Sequence, residues 1–304
     1  MPTLALCIPA YNAAWCLPRL LVSAKQQQIP FDEILVYNDC STDNTSEIAV
    51  EFGATVVTGV KNIGCSAGKN KLAESVKSEW IFFIDADDEL YSDFTVVAHK
   101  WMVKQEQPDV VLMGYKGIDF SSGKVLDEVK YDRDEFKRDS VKFTIDNKIV
   151  NFELIKKEPF LKIGGFDIDP DILYVEDRAF ALKAALMGLS FDVGNDIIGV
   201  KYFFPGGMSV VDKSKWPRAG YHLWTKVNEA VGDRYPNEIC YQLFQNAVWA
   251  GKANGWGTVK KSLQLVQKIN PACLPPGSEL FQLTFKISPF YSFYFRELVG
   301  RILH

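Results

Sequence analysis

Short apolar runs alternate with amphipathic stretches along the first third of this chain, and that alternation constrains its fold more than any other feature. Candidate strands lie at 4–8, 33–37, 55–58, 80–84 and 109–114; candidate helices between them at 17–27, 45–52, 67–77 and 94–104. Asp43 or Ser41 is placed to cap the second helix, and Gly53 to end it. Four crossovers of this kind predict a mostly parallel sheet with helices on both faces. In such sheets ligands bind in the crevice beyond the carboxyl ends of the strands, so the residues there carry the functional signal.

The fourth run is the most informative. Trp80-Ile81-Phe82-Phe83-Ile84 reads as a buried central strand that stops on Asp85-Ala86-Asp87-Asp88. Oxygen ligands at that edge suit a hard cation such as Mg²⁺ or Mn²⁺ and a bound phosphate. Position decides the matter, because D-x-D alone is common. It also occurs at Asp132/Asp134, Asp167/Asp169 and Asp169/Asp171, none of which ends a strongly apolar strand.

Three other strand ends carry polar loops. The first is Pro9-Ala10-Tyr11-Asn12, which alone could be a strand-ending turn. The second, Asn38 to Thr45, could cap a helix, but that gives Asp39 no duty. The third, Asn62-Ile63-Gly64-Cys65-Ser66-Ala67-Gly68-Lys69-Asn70, is a small-residue turn whose backbone amides could approach a phosphate, with Lys69 adding charge. It has neither the G-x-x-x-x-G-K-[ST] nor the G-x-G-x-x-G spacing.

Taken in order, these loops resemble those of the family 2 glycosyltransferases, which have the GT-A fold. The family's marks are P-x-Y-N, D-D-G-S-x-D-x-T, N-x-G-x-x-x-A-R-N, D-x-D-D and a later E-D opening a helix. They match here at 9–12, 38–45, 62–70, 85–88 and Glu176-Asp177, within residues 3 to about 210. The chain departs from the pattern at Asn38 for aspartate, Cys40 for glycine, Gly68 for alanine and Lys69 for arginine.

The resemblance implies an α/β, Rossmann-like GT-A domain and an inverting transfer from a nucleotide-diphosphate sugar, UDP by family frequency. It implies that Pro9, Tyr11, Asn12, Asp39, Asn62, Gly64, Lys69 and Asp85 bind the nucleotide. Tyr11 would lie against the base, Asp39 would accept a hydrogen bond from it, and Asp85 would contact the ribose. Asp87 would hold the Mn²⁺ or Mg²⁺ that bridges the donor phosphates. Asp177 is the implied base, with Glu176 as runner-up or orienting neighbour; on residues alone, both could simply satisfy a helix N-terminus. Residues 200–209 resemble the family's closing segment, with Lys201 as its basic candidate and Ser209 near its end. The acceptor class implied is a glycan or lipid-linked glycan of surface polysaccharide assembly.

The later acids Asp167, Asp169 and Asp171 alternate like a calcium loop, but Ile172 and Arg178 stand where an EF-hand needs glycine and glutamate. Residues 117–148 read as a surface excursion or hairpin, 175–187 as a helix, and 190–193 and 197–204 as two strands.

Near Trp216-Pro217 the character changes to aromatic-bearing helices. The expected division is a glycosyltransferase domain at 1–215 and a helical extension at 216–304. The extension holds ten Lys and Arg against five Asp and Glu, a surplus of +5, and the remaining 24 against 33 leave −9 in 1–215. A net charge of −4 without a basic, aromatic-interleaved stripe argues against nucleic acid as a partner. Six cysteines without a C-x-x-C pair suggest neither a zinc site nor a disulfide scaffold, and a cytoplasmic setting is expected. The aromatic tail at 280–303 leaves several readings open: a peripheral contact with the inner membrane face, packing on the main domain, or a homodimer contact.

Two other functions fit parts of the sequence. A nucleotidyltransferase could use the same sheet and acidic loop, but needs a glycine- and lysine/arginine-rich first loop that Pro9–Asn12 does not supply. A non-catalytic nucleotide-sugar-binding or scaffold member of the fold would not require Asp85, Asp87 and Asp177.

Overall fold

The computed structural model describes residues 1–150, 152–205, 207 and 212–303. Ser209 of the expected closing segment lies outside the described residues. The elements run β1 (Leu4–Ala10), α1 (Leu17–Lys25), β2 (Glu33–Asn38), α2 (Thr45–Glu51), β3 (Thr55–Thr58), α3 (Cys65–Ser75), β4 (Trp80–Phe83), β5 (Glu89–Leu90) and α4 (Phe94–Met102). There follow β6 (Val110–Asp119), β7 (Val125–Val129), α5 (Arg133–Arg138), α6 (Ser140–Asp146), β8 (Glu153–Lys156), α7 (Lys157–Lys162), α8 (Glu176–Leu186) and β9 (Phe191–Phe203). Five further helices close the chain: α9 (Lys215–Val231), α10 (Pro236–Lys252), α11 (Trp256–Ile269), α12 (Glu279–Ile287) and α13 (Pro289–Leu303).

The strands form one sheet in the order β3-β2-β1-β4-β8-β6-β9-β5, with β7 paired to β6. β1, β2, β3 and β4 are parallel, in the registers Cys7↔Phe83, Ala10↔Asn38 and Asn38↔Thr58. Their polar loops therefore emerge at one edge. Three strands break the parallel pattern, β7 among them as the antiparallel partner of β6. β8 runs antiparallel between β4 and β6, and β5 is antiparallel to β9. β8 is only four residues long and includes a glutamate, so nothing in its periodicity announced it. The two strands expected at 190–204 are one strand, β9, with an irregularity where Met113 pairs with Gly194 but Gly114 with Ile197. The excursion at 117–148 is the end of β6, its hairpin partner β7, and two short helices.

Side-chain alternation splits the core into two layers. Leu4, Leu6, Ile8, Phe82 and Leu154 pack with α1 and α4 on one face. Ala5, Cys7, Phe83 and Ile155 pack on the other with Leu72 of α3, Phe160 of α7 and Phe180 of α8. The second layer is where α3 and α8 bring their functional side chains.

The chain divides into two compact units. One comprises residues 1–144, 148–168 and 176–205; the other comprises 145–147, 169–175 and 206–304. Within the second, Leu223, Leu243, Phe244, Val259 and Val266 are buried. Asp169 pairs with Lys226 at 2.8 Å, and Asp171 with Arg218 at 3.5 Å and His222 at 4.0 Å. Residues 218, 222 and 226 recur every four positions on α9, so one helix face takes up two of the alternating acids. Among the described residues no helix is long and apolar enough to cross a membrane.

Candidate active site

The first two loops are tied to each other. Asn12 donates its backbone N–H to Ser41 Oγ at 3.0 Å, and its Oδ1 accepts from the Thr42 amide at 2.8 Å. The Ala14 amide donates to Asp43 Oδ2 at 3.0 Å. Of the two residues expected to cap α2, Asp43 does reach it, its Oδ1 accepting from the Thr45 amide at 3.1 Å while its Oδ2 holds the first loop, and Ser41 fastens loop to loop. The residue at the N-cap position itself is Asn44, without a side-chain cap. Asp39 is 5% exposed, and its two oxygens accept from the Ile63 and Gly64 amides at 2.7 and 2.9 Å. Its carboxylate therefore holds the second loop to the third, a duty additional to the base contact implied for it. Gly64, at φ 84°, makes the left-handed turn into α3 that a side chain would strain. Pro9 and Asn12 are partly buried at this edge, while Tyr11 and Asn62 are exposed on it.

Gly68, where the family has alanine, has its reason in Tyr37. A Cβ at 68 would lie 2.8 Å from the tyrosine ring. Lys69 follows, and its placement is the least expected feature of the site. It is fully buried, with Nζ 3.1 Å from Asp177 Oδ1, 3.6 Å from Asp85 Oδ1 and 5.0 Å from the centre of the Phe166 ring. Burial works against the ammonium, but Asp177 and Asp85 outweigh it and hold the group protonated well above the usual lysine range.

Asn70 sets the height of α8. Its Nδ2 donates to the Phe166 carbonyl at 3.0 Å, and its Oδ1 accepts from the Phe166 amide at 2.8 Å. The turn before α8 is thereby docked on α3, and a Cβ on Gly165 would meet Asn70 Oδ1 at 2.3 Å. Asp177 in the first turn of α8 is delivered onto Lys69 as a result. Glu176 is buried, and burial, with Asp177 next to it, pushes its carboxyl up to about 7.

At the end of β4, Asp85, Asp87 and Asp88 each offer a carboxylate oxygen, and the three lie within 4.8 Å of one another. Burial raises Asp87 and Asp88 above the usual carboxylate range, and Asp85 adds to the effect at Asp87. Asp88 Oδ1 accepts from the Tyr202 amide at 3.1 Å, whereas its buried Oδ2 has no hydrogen-bond partner among the described residues. Crowded carboxylates and an orphaned oxygen fit a hard divalent cation, as the all-oxygen donor set also does. Lys201 Nζ stands 3.8 Å from Asp85 Oδ2. Asp85 thus faces two ammonium groups, which leaves Asp87 and Asp88 as the more available donors.

Of two further residues that the sequence did not single out, one supports this loop and the other is buried within electrostatic reach of Asp177 and Lys69. Arg19 of α1 donates from Nη2 to the Asp87 carbonyl at 2.6 Å, and its guanidinium lies 4.2 Å from the centre of the Tyr202 ring. Its partner is 68 residues away, so no local spacing could have revealed it. Glu153 of β8 is fully buried on the layer occupied by Ile155, and both of its oxygens are without a partner among the described residues. Burial and Asp177 raise its carboxyl well above the usual range. An orphaned buried carboxyl costs stability, so Glu153→Leu is expected to raise the unfolding free energy by about 1–3 kcal/mol. Urea unfolding measures this; a loss of stability would show that the carboxyl is satisfied after all.

Residues 5–163 match the family model for "Glycosyl transferase family 2". The chain belongs to that family. Over 193 residues it is 26% identical to "Putative glycosyltransferase EpsH" of Bacillus subtilis, covering 60% of this chain and 56% of that protein. It thus spans a little over half the length of that curated relative. Among solved structures, Staphylococcus aureus TarS 1–349 in complex with UDP-GlcNAc superposes with a TM-score of 0.70 at 17% identity, over 98% of this chain and 91% of that one. The mannosyltransferase PcManGT of Pyrobaculum calidifontis, in complex with GDP-Man and Mn²⁺, gives 0.62 at 18% identity, over 98% and 84%. At these identities the likeness establishes the fold, GT-A, as the motifs implied.

Proposed function

We propose that this family 2 glycosyltransferase moves a hexosyl or N-acetylhexosaminyl group from a UDP-sugar to an acceptor hydroxyl, with inversion and with a divalent metal. The observation that carries the reading is the buried Lys69, which bridges the D-x-D carboxylate Asp85 and the α8 carboxylate Asp177 at 3.6 and 3.1 Å. It supports a donor-binding edge and a base on one rigid frame.

In this reading Tyr11, Asp39 and Asp85 hold the nucleoside, and Asp87, with Asp88 beside it, holds the cation. A bound Mn²⁺ or Mg²⁺ neutralises the charge that develops on the departing diphosphate. Asp177 uses Oδ1 to bind Lys69 and takes the acceptor's proton on its other oxygen. The acceptor oxygen then bonds to the anomeric carbon from the face opposite the diphosphate, and the bond to the diphosphate breaks in the same displacement. A glycan or lipid-linked glycan is the acceptor class that the family resemblance implies. The solved relatives bound to UDP-GlcNAc and to GDP-Man with Mn²⁺ support both the donor class and the metal.

Thermal unfolding with UDP, GDP, dTDP or CMP, with and without Mn²⁺, tests the donor assignment. Ligand at 100 times its Kd adds about 2.7 kcal/mol, which moves Tm by several degrees. UDP is expected to stabilise in the presence of Mn²⁺, and Asp87→Ala to abolish that shift. Stabilisation by another nucleotide alone would overturn the UDP assignment, and a shift that survives Asp87→Ala would overturn the metal assignment.

A further inference from the structure

The helical hairpin of α12 and α13 is apolar on two sides, and only one of them is covered. On the covered side Phe281, Phe285 and Phe293 are buried, with Phe285 5.5 Å and Phe293 6.3 Å from the ring of Phe244 on α10. On the other side Leu280, Leu283 and Ile287 stand at intervals of three and four along α12, Ile287 with 80% of its surface exposed. Tyr291, Phe295, Val299 and Ile302 continue the stripe along α13, again at intervals of three and four. A helix that is apolar all round is one that expects burial all round. Leu280, Ile287, Tyr291, Phe295 and Val299 of these stripes line a groove of about 540 Å³.

Three of the hydroxyls that line the groove already hold hydrogen bonds. Thr284 Oγ1 donates to the Phe281 carbonyl at 2.9 Å, and Ser292 Oγ to the Pro289 carbonyl at 2.8 Å. Ser278 Oγ accepts from the Phe281 amide at 3.3 Å. Covering these hydroxyls with hydrocarbon would therefore strand none of those bonds, which is the usual penalty for such burial.

The charges choose the occupant. Among the described residues Arg296 is the one charged residue in the groove lining, and its guanidinium rests 4.8 and 5.2 Å from the ring centres of Phe281 and Phe293. Lys286 is exposed between Leu283 and Ile287. Among the described residues no carboxylate lines the groove. A second copy docked groove to groove would bring two Arg296 side chains together without a counter-charge. Anionic headgroups would supply that counter-charge, and the surplus of +5 over 216–304, against −9 over 1–215, adds longer-range attraction on the same region.

We propose that the exposed face of the α12–α13 hairpin is a membrane-docking surface, which lays its apolar stripe into the headgroup–acyl boundary of an anionic bilayer with Arg296 and Lys286 at the phosphates. Such helices lie in the interface without spanning it, held by apolar burial and electrostatic attraction together. The surface does not depend on which sugar, nucleotide or acceptor the enzyme uses.

Flotation of the full chain with vesicles of phosphatidylglycerol and phosphatidylcholine, or of phosphatidylcholine alone, is the test. The protein is expected to float with the anionic vesicles, less so at high salt, and to bind phosphatidylcholine alone weakly. Ile287→Asp and Phe295→Asp are each expected to weaken partitioning by about tenfold or more, since each removes a large apolar side chain from the contact. Both positions are solvent-exposed, so Tm should be unchanged. Failure to bind either vesicle overturns the proposal, as does equal binding by the variants or equal binding to the two vesicle types. So does a dimer in light scattering that Ile287→Asp dissociates, because a second copy would then be the occupant. The thermal shift with UDP is recorded on the same samples; its absence would count against the donor assignment and leave the docking surface standing.

Discussion

Asp177→Asn is expected to lower turnover by about two to four orders of magnitude while nucleotide binding persists. Asparagine keeps an oxygen that can accept from Lys69 Nζ, now 3.1 Å from Asp177 Oδ1, so the packing of α8 on α3 should survive. What is lost is the oxygen that takes the acceptor's proton. The donor contacts proposed for Asp39, Asp85 and Asp87 lie on other loops, and the nucleotide-induced rise in Tm should be retained. Release of nucleoside diphosphate from donor and acceptor measures the first effect, and thermal unfolding the second. Near-wild-type turnover in Asp177→Asn would move the base elsewhere, with Glu176 the next carboxylate to replace.

The largest expected effect on stability is at Lys69. Lys69→Met keeps the aliphatic stem against Phe166 and removes only the ammonium. Asp177 would then lose the ammonium at 3.1 Å, and Asp85 the one at 3.6 Å, with Lys201 at 3.8 Å as its remaining cation. Breaking one partner out of a buried ionic group typically costs about 3–5 kcal/mol, since the remaining charges stay desolvated. In a domain of this size that corresponds to a fall in Tm on the order of ten degrees. Urea unfolding of the variant checks it. A loss below about 1 kcal/mol would mean that water enters the site and screens the two carboxylates, as it does for exposed pairs. Combining Lys69→Met with Asp177→Asn should recover part of the loss, because the double variant buries one charge fewer.

Much of the fold could be read from the chain because the governing signals are local. Strands β1 and β4 have near-continuous apolar runs, since each is buried on both faces, and β2 is buried from Leu35 onward; their crossover helices have ordinary amphipathic spacing, and the edge where ligands bind follows from parallel topology alone. The polar loops at that edge sit where the motifs placed them. By contrast, β8 is four residues long, carries Glu153, and takes its antiparallel place between β4 and β6 through pairing partners some 40 to 70 residues away. Likewise, 190–204 reads as two strands because the bulge opposite Gly114 interrupts the alternation without interrupting the strand.

At the site the division is the same. Residue identity and order were enough to nominate Asp39, Asp85, Asp87, Glu176 and Asp177, because metal and proton chemistry needs carboxylates and the loops present them in a recognisable sequence. Tertiary packing alone decided what those groups touch. It turned Asp39 into the staple of the Ile63–Gly64 turn, buried Lys69 between two carboxylates, and set Arg19 under the Asp87 carbonyl. Electrostatic partners are chosen by distance in space and by the loss of solvent around them. Neither quantity is written in the spacing of residues along the chain.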